Sequence, residues 1–182
     1  MIIPPIIQVI VGLLVLVAGI YDILWRRIPN WLVMPGFLIG IVLNTFIHFD
    51  DGHRWDAAFG FALAMATYLP LYLLRGMGAG DVKLAAAIGA LVGWQAWIVI
   101  FILSGLLGGV LAIILMIVKG RARKTFSNLG YIVWEMAHFR PPHLGNEELD
   151  IANPRAMTLP HGAVIALGTL LFLGMIHSLL AA

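Results

Sequence analysis

The chain contains no cysteine, which excludes disulfides and cysteine-based zinc sites. Charge is also scarce. Asp, Glu, Lys and Arg make up 11% of 182 residues, where soluble domains carry about 25%. The alternating segments of roughly ten residues that mark a membrane β-barrel are missing too. So is a secretory signal pattern. The first apolar run lacks a basic start, and Tyr21-Asp22 stands where small residues would mark cleavage. It therefore reads as a retained span. What the chain does have is apolar sequence: 62% of residues are hydrophobic, and the mean hydropathy is +0.99. Runs this long imply a single-domain, all-α integral membrane protein over residues 1–182. The pI near 9.2 is no sign of nucleic-acid binding, because the basic residues sit in loops, where they set membrane orientation.

Apolar runs at residues 3–24, 31–49, 57–74, 81–92, 97–118 and 159–180 predict a bundle of about six transmembrane helices. The run at 81–92 is too short to cross a core of about 30 Å at about 1.5 Å per residue. It must tilt, start below the surface, or continue past Gly93-Trp94. Asn44, inside the second run, suits an interhelical hydrogen bond. Ser104, Gly105, Gly108 and Gly109 have helix-packing spacing, and Pro70 suggests a kink. Ile28-Pro29-Asn30 reads as a turn with Asn30 capping the next helix. Residues 119–158 form a polar loop, within which 126–139 have the pattern of an interfacial helix. If the Arg26-Arg27 loop is cytoplasmic, every cation but Arg54 falls on that side. Both termini are then non-cytoplasmic.

The stretch Gly76-Met77-Gly78-Ala79-Gly80-Asp81-Val82-Lys83-Leu84 sets an aspartate and a lysine between two apolar runs. A charge at membrane depth costs at least about 2.5–3.5 kcal/mol and marks a functional site by default. The glycines permit close backbone approach. The plain alternative is a glycine turn, with Asp81 as a helix cap and Lys83 snorkelling. Asp22 changes the balance, because the span layout brings it to the same end as Asp81. Two carboxylates at one depth match an aspartyl protease. One accepts a proton from water while the other, protonated, donates to the peptide carbonyl. Close carboxylates resist joint ionisation, so one proton is kept on the pair. Lys83 sits to the side of Asp81 on a helix, and anchoring to headgroups is its preferred role.

Gly78-Ala79-Gly80-Asp81 matches the GxGD signature of intramembrane aspartyl proteases. With Val82-Lys83-Leu84 it resembles type IV prepilin peptidases. Asp22 ahead of Ile28-Pro29-Asn30, and Pro160-His161-Gly162 at the last span, are similar to further motifs of that family, and the order of motifs covers the chain. The resemblance implies a peptidase that removes the basic leader of a prepilin at the cytoplasmic face of the inner membrane. Asp22 and Asp81 would be catalytic, with Gly78, Gly80, Lys83, Pro29 and Asn30 in support. It implies no cofactor or metal, and its partners are the prepilin's hydrophobic helix and membrane lipid. The short Tad/Flp-pilus type is the nearest form, with archaeal preflagellin peptidases as relatives. The four-cysteine cytoplasmic domain of longer members is absent from this sequence, and N-methylation is not expected.

Two rival readings remain: a small proton- or cation-coupled transporter component, and a non-catalytic scaffold. An inverted repeat would favour the first, and none is evident. His138, His143, Glu147, Glu148 and Asp150 match no metal-ligand spacing and read as solvated loop residues. The three acids among them are candidate partners for a basic leader. His161 reads as a helix-start histidine near the site.

Overall fold

The computed structural model describes residues 3–47, 55–120, 122–138 and 159–181. Among these residues there are seven helices and no strand: α1 (Pro5–Trp25), α2 (Asn30–Ile47), α3 (Asp56–Leu73), α4 (Ala79–Val92), α5 (Trp94–Val118), α6 (Ala122–Ala137) and α7 (His161–Ala181). Six of them lie at the six apolar runs. Four (α1, α3, α5 and α7) are long and apolar enough to cross a membrane. The other two, α2 and α4, are shorter among the described residues, as expected for the run at 81–92. The apolar part of α2 covers Asn30–Asn44, and α4 has 14 residues.

The shortness of α4 follows from its place. It touches α1, α2, α3, α5 and α7, and every residue from Leu84 to Val92 is buried. A helix that is apolar all round belongs inside a bundle, and the small side chains of Ala85, Ala86, Ala87, Gly89 and Ala90 let five neighbours approach. It does not run on into α5. Gly93, at φ 81°, ends it, in a positive-φ conformation open to glycine at no steric cost.

The tightest crossing is between α3 and α4. There the backbones of Gly60 and Gly89 lie so close that a methyl group on either would overlap the other's carbonyl. The two helices are antiparallel, so Tyr68 on α3 comes level with the start of α4. On the opposite side Asn44 donates its amide to the carbonyls of Ala90 and Leu91, both at 2.9 Å, and to its own Gly40 at 3.1 Å. This is the interhelical role expected of it, and it satisfies carbonyls at the C-terminal end of α4. The α5–α7 seam runs through Ser104 against Gly168 and Gly108 against Val164, whereas Gly105 and Gly109 face open space. Leucines and isoleucines such as Leu13, Leu106 and Ile117 stand exposed on the outside. A surface of that kind is matched by lipid rather than water.

A helix, α6, covers most of the 126–139 stretch and packs on α5. His138 stacks on Trp134 with ring centroids 4.4 Å apart. His143, Glu147, Glu148 and Asp150 lie outside the described residues.

Candidate active site

Asp22 lies in the last turn of α1. That helix ends at Arg26, which takes the left-handed conformation at φ 53° and returns its N–H to the Asp22 carbonyl. The turn to α2 is held by rings: Tyr21 packs against Trp25 at 4.7 Å and edge-on to Trp31 at 5.9 Å. Pro29 supplies the carbonyl that accepts the N–H groups of Leu32 and Val33. Asn30 is therefore the first helical residue rather than the cap expected from the sequence.

Asp81 lies in the first turn of α4. Gly78 is the N-cap residue, and its N–H donates to Asp81 Oδ2 at 3.0 Å. This is the reach-back half of a capping box, so the capping role seen as the plain alternative is real. It occupies one oxygen of the carboxylate and leaves the group at the mouth of the loop. A methyl group at Gly78 would stand 3.3 Å from that oxygen.

The two carboxylates converge. Asp22 is 6% exposed and Asp81 is 9% exposed. Asp22, His161 and the backbone of Gly162 all lie close enough to Asp81 to act on its carboxylate. The third participant is the start of α7. Its Ala163 N–H donates to Asp22 Oδ2 at 3.1 Å across 141 positions of sequence. Val164 donates to the Pro160 carbonyl, so the first helical bond begins one residue later and the Ala163 N–H is free for the carboxylate. Helix N-termini are natural sites for anionic groups.

The supporting residues also assemble. Gly80 packs on Ile28, and Lys83 donates its ammonium to Asn30 Oδ1 at 2.9 Å. Lys83 is thus tied to the Ile28-Pro29-Asn30 turn, where the sequence favoured a headgroup anchor. The two motifs, more than fifty residues apart, interlock through this bond and through Ile28.

Sequence reasoning missed three contributors. Ala163 acts through its backbone, which no side-chain pattern reveals. Tyr68, buried against Trp97 and Phe101 at 5.6 and 5.7 Å, has its phenol within the field of Asp81. Ile28 was read as part of the Ile28-Pro29-Asn30 turn, but its packing against Gly80 and Gly162 was not. His161 stands nearer the centre than its helix-start reading implied. Its Nδ1 is 3.0 Å from the Leu159 carbonyl, which can only accept. Among the described residues no group of three or more His, Cys, Asp or Glu is placed to hold a metal.

The profile of the type IV leader peptidase family matches residues 9–113, more than half of the chain. The chain belongs to the type IV leader peptidase family. The match covers most of α1, all of α2 to α4 and most of α5, and so includes both aspartates of this family member but not the α7 N-terminus. Relatives named prepilin leader peptidase/N-methyltransferase include one from Escherichia coli (strain K12), 29% identical over 66% of this chain and 60% of its own length. One from Stutzerimonas stutzeri is 31% identical over 56% of this chain and 37% of its own. One from Aeromonas hydrophila is 36% identical over 50% of this chain and 33% of its own. The chain thus spans from a third to three fifths of the length of these relatives. No solved structure gives a significant match.

Proposed function

We propose that this protein is an aspartyl endopeptidase that cleaves the leader from type IV prepilins of the Tad/Flp kind, at the cytoplasmic face of the inner membrane. One observation carries the reading: two buried carboxylates, Asp22 from α1 and Asp81 from α4, converge beside the N-terminus of α7. The names of the relatives supply the substrate class.

In this mechanism the pair holds one proton and a water between its members. The ionised carboxylate takes a proton from the water, whose oxygen attacks the scissile carbonyl carbon. The protonated carboxylate donates to the carbonyl oxygen. The tetrahedral species collapses, the C–N bond breaks, and the nitrogen leaves with a proton from the pair. Gly78 and Ala163 hold the carboxylates through backbone N–H groups, so neither needs to reorganise during the reaction. The substrate's hydrophobic helix stays in lipid beside the bundle, and its basic leader lies in the cytosol.

Both chain termini are assigned to the non-cytoplasmic side, since this orientation leaves only Arg54 among the cations on that side. The reading covers hydrolysis and not the methyl transfer included in the relatives' names. The test is a reconstituted reaction with a prepilin, read by N-terminal sequencing and mass. Wild-type protein should release the leader and leave an unmethylated product. Asp22→Asn and Asp81→Asn should each abolish release while staying in the membrane. Full processing by either variant removes the proposal.

A further inference from the structure

Asp81 accepts the Gly78 N–H at the start of α4, Asp22 accepts the Ala163 N–H at the start of α7, and the Gly162 backbone lies against Asp81 as well. Something must hold those two helix starts at a set distance. Ile28 lies between them and is 8% exposed. A methyl group built on Gly80, the neighbour of Asp81, would stand 3.1 Å from Ile28 Cβ and 3.4 Å from its backbone nitrogen. One built on Gly162 would stand 2.6 Å from Ile28 Cδ1 and 3.1 Å from both Cγ and Oδ2 of Asp22. The base of the isoleucine therefore rests on α4 and its tip on α7, and a glycine stands at each contact.

We propose that Ile28 is a positioning residue: its side chain is the spacer between the starts of α4 and α7 and so sets the separation of Asp22 and Asp81. The proposal rests on the reading of this pair as a peptidase site. A spacer must be stiff, and a β-branched side chain has few rotamers. Its own backbone must be fixed as well. Here Arg26 lies in the left-handed region two residues before, Pro29 follows with φ locked, and the Lys83–Asn30 bond closes the turn onto α4. Ile28 has no polar atom in its side chain, so it acts through volume alone.

Volume can be traded between partners, and this gives the experiment. The full chain in lipid nanodiscs is assayed on a prepilin under steady-state conditions. Gly162→Ala should lower kcat by about tenfold or more with KM within about twofold, since misplacement near 1 Å can cost about a hundredfold. Ile28→Val removes the Cδ1 methyl and should alone cost about threefold or less. The double variant, relieved of the 2.6 Å contact though not of the one with Asp22, should regain at least about threefold of the lost kcat, a coupling that a loss of general stability would not produce.

A second measurement needs no activity. The chain has no native cysteine, so Asp22→Cys with Asp81→Cys gives one reactive pair for thiol cross-linkers of graded length. Gly162→Ala should shift the preferred linker to a greater length, and adding Ile28→Val should shift it back. The proposal is overturned if Gly162→Ala changes neither kcat nor linker preference, or if the double variant is no better than Gly162→Ala. If wild-type protein leaves the prepilin whole, the peptidase reading fails, while the linker series still decides whether Ile28 sets the spacing.

Discussion

Replacing Gly89 by alanine tests the packing that holds α4 in place. The new methyl group would overlap the Gly60 carbonyl and lie 3.1 Å from Ala64 Cβ. The first obstacle is backbone, so no rotamer change can relieve it. Alanine gains about 0.5–1 kcal/mol over glycine inside a helix. Overpacking of a tight core costs about 1–3 kcal/mol, and an overlap with a backbone carbonyl belongs at the upper end. The net expectation is a loss of about 1–2 kcal/mol, a factor of roughly 5–30 in the folded ratio. Gly105→Ala supplies the control. Nothing lies within 4 Å of that added methyl, so it should be neutral or slightly stabilising. Unfolding of the purified protein by SDS in mixed micelles measures both. Relief of the overlap by a parting of α3 from α4 also moves Asp81, so Gly89→Ala should slow cleavage. A Gly89→Ala protein as stable and active as wild type would refute the close α3–α4 crossing.

Three further outcomes are expected. Asn44→Leu removes three donor contacts to backbone carbonyls. At about 0.6 kcal/mol for an average hydrogen bond in a membrane, with a maximum near 1.7, it should lower stability by about 1–2 kcal/mol in the same unfolding assay. Lys83→Met and Asn30→Leu each break one exposed bond. Exposed pairs contribute little, so each should change stability by less than about 1 kcal/mol, and the double variant should cost no more than the worse single one. Six crossings and the bias of Lys and Arg to one side predict position 54 opposite positions 26 and 119. Single-cysteine labelling at these positions from each side should follow that division.

The sequence carried most of this architecture because lipid makes strict demands on composition. Long apolar runs with charged ends were readable as α1, α3, α5 and α7, and the two aspartates stood out against a background with little charge. The centre of the bundle was harder to read. Residues 81–92 were recognisably too short to cross alone, but their alanines and glycines do not say which helix crosses them. The Gly60–Gly89 contact is a pairing between distant positions, and one chain shows only its two halves. The same holds for Lys83 and Asn30. Each was legible as a supporting residue, but the bond between them was not, and a lone lysine near a helix start reads as a headgroup anchor. Ala163 left no trace because its contribution is an amide that every non-proline residue has. Ile28 was legible as the start of the turn before α2, but its contacts with Gly80 and Gly162 were not, because they join distant positions.

The most direct measurement of the central claim is the rate of prepilin cleavage by Asp22→Asn, Asp81→Asn and the double variant, compared in one assay. Groups that act as a unit lose their effect together. The account predicts that all three variants fall to the same residual rate, so that the second substitution adds nothing to the first. Losses that multiply in the double variant, or a wild-type rate in either single one, would contradict it.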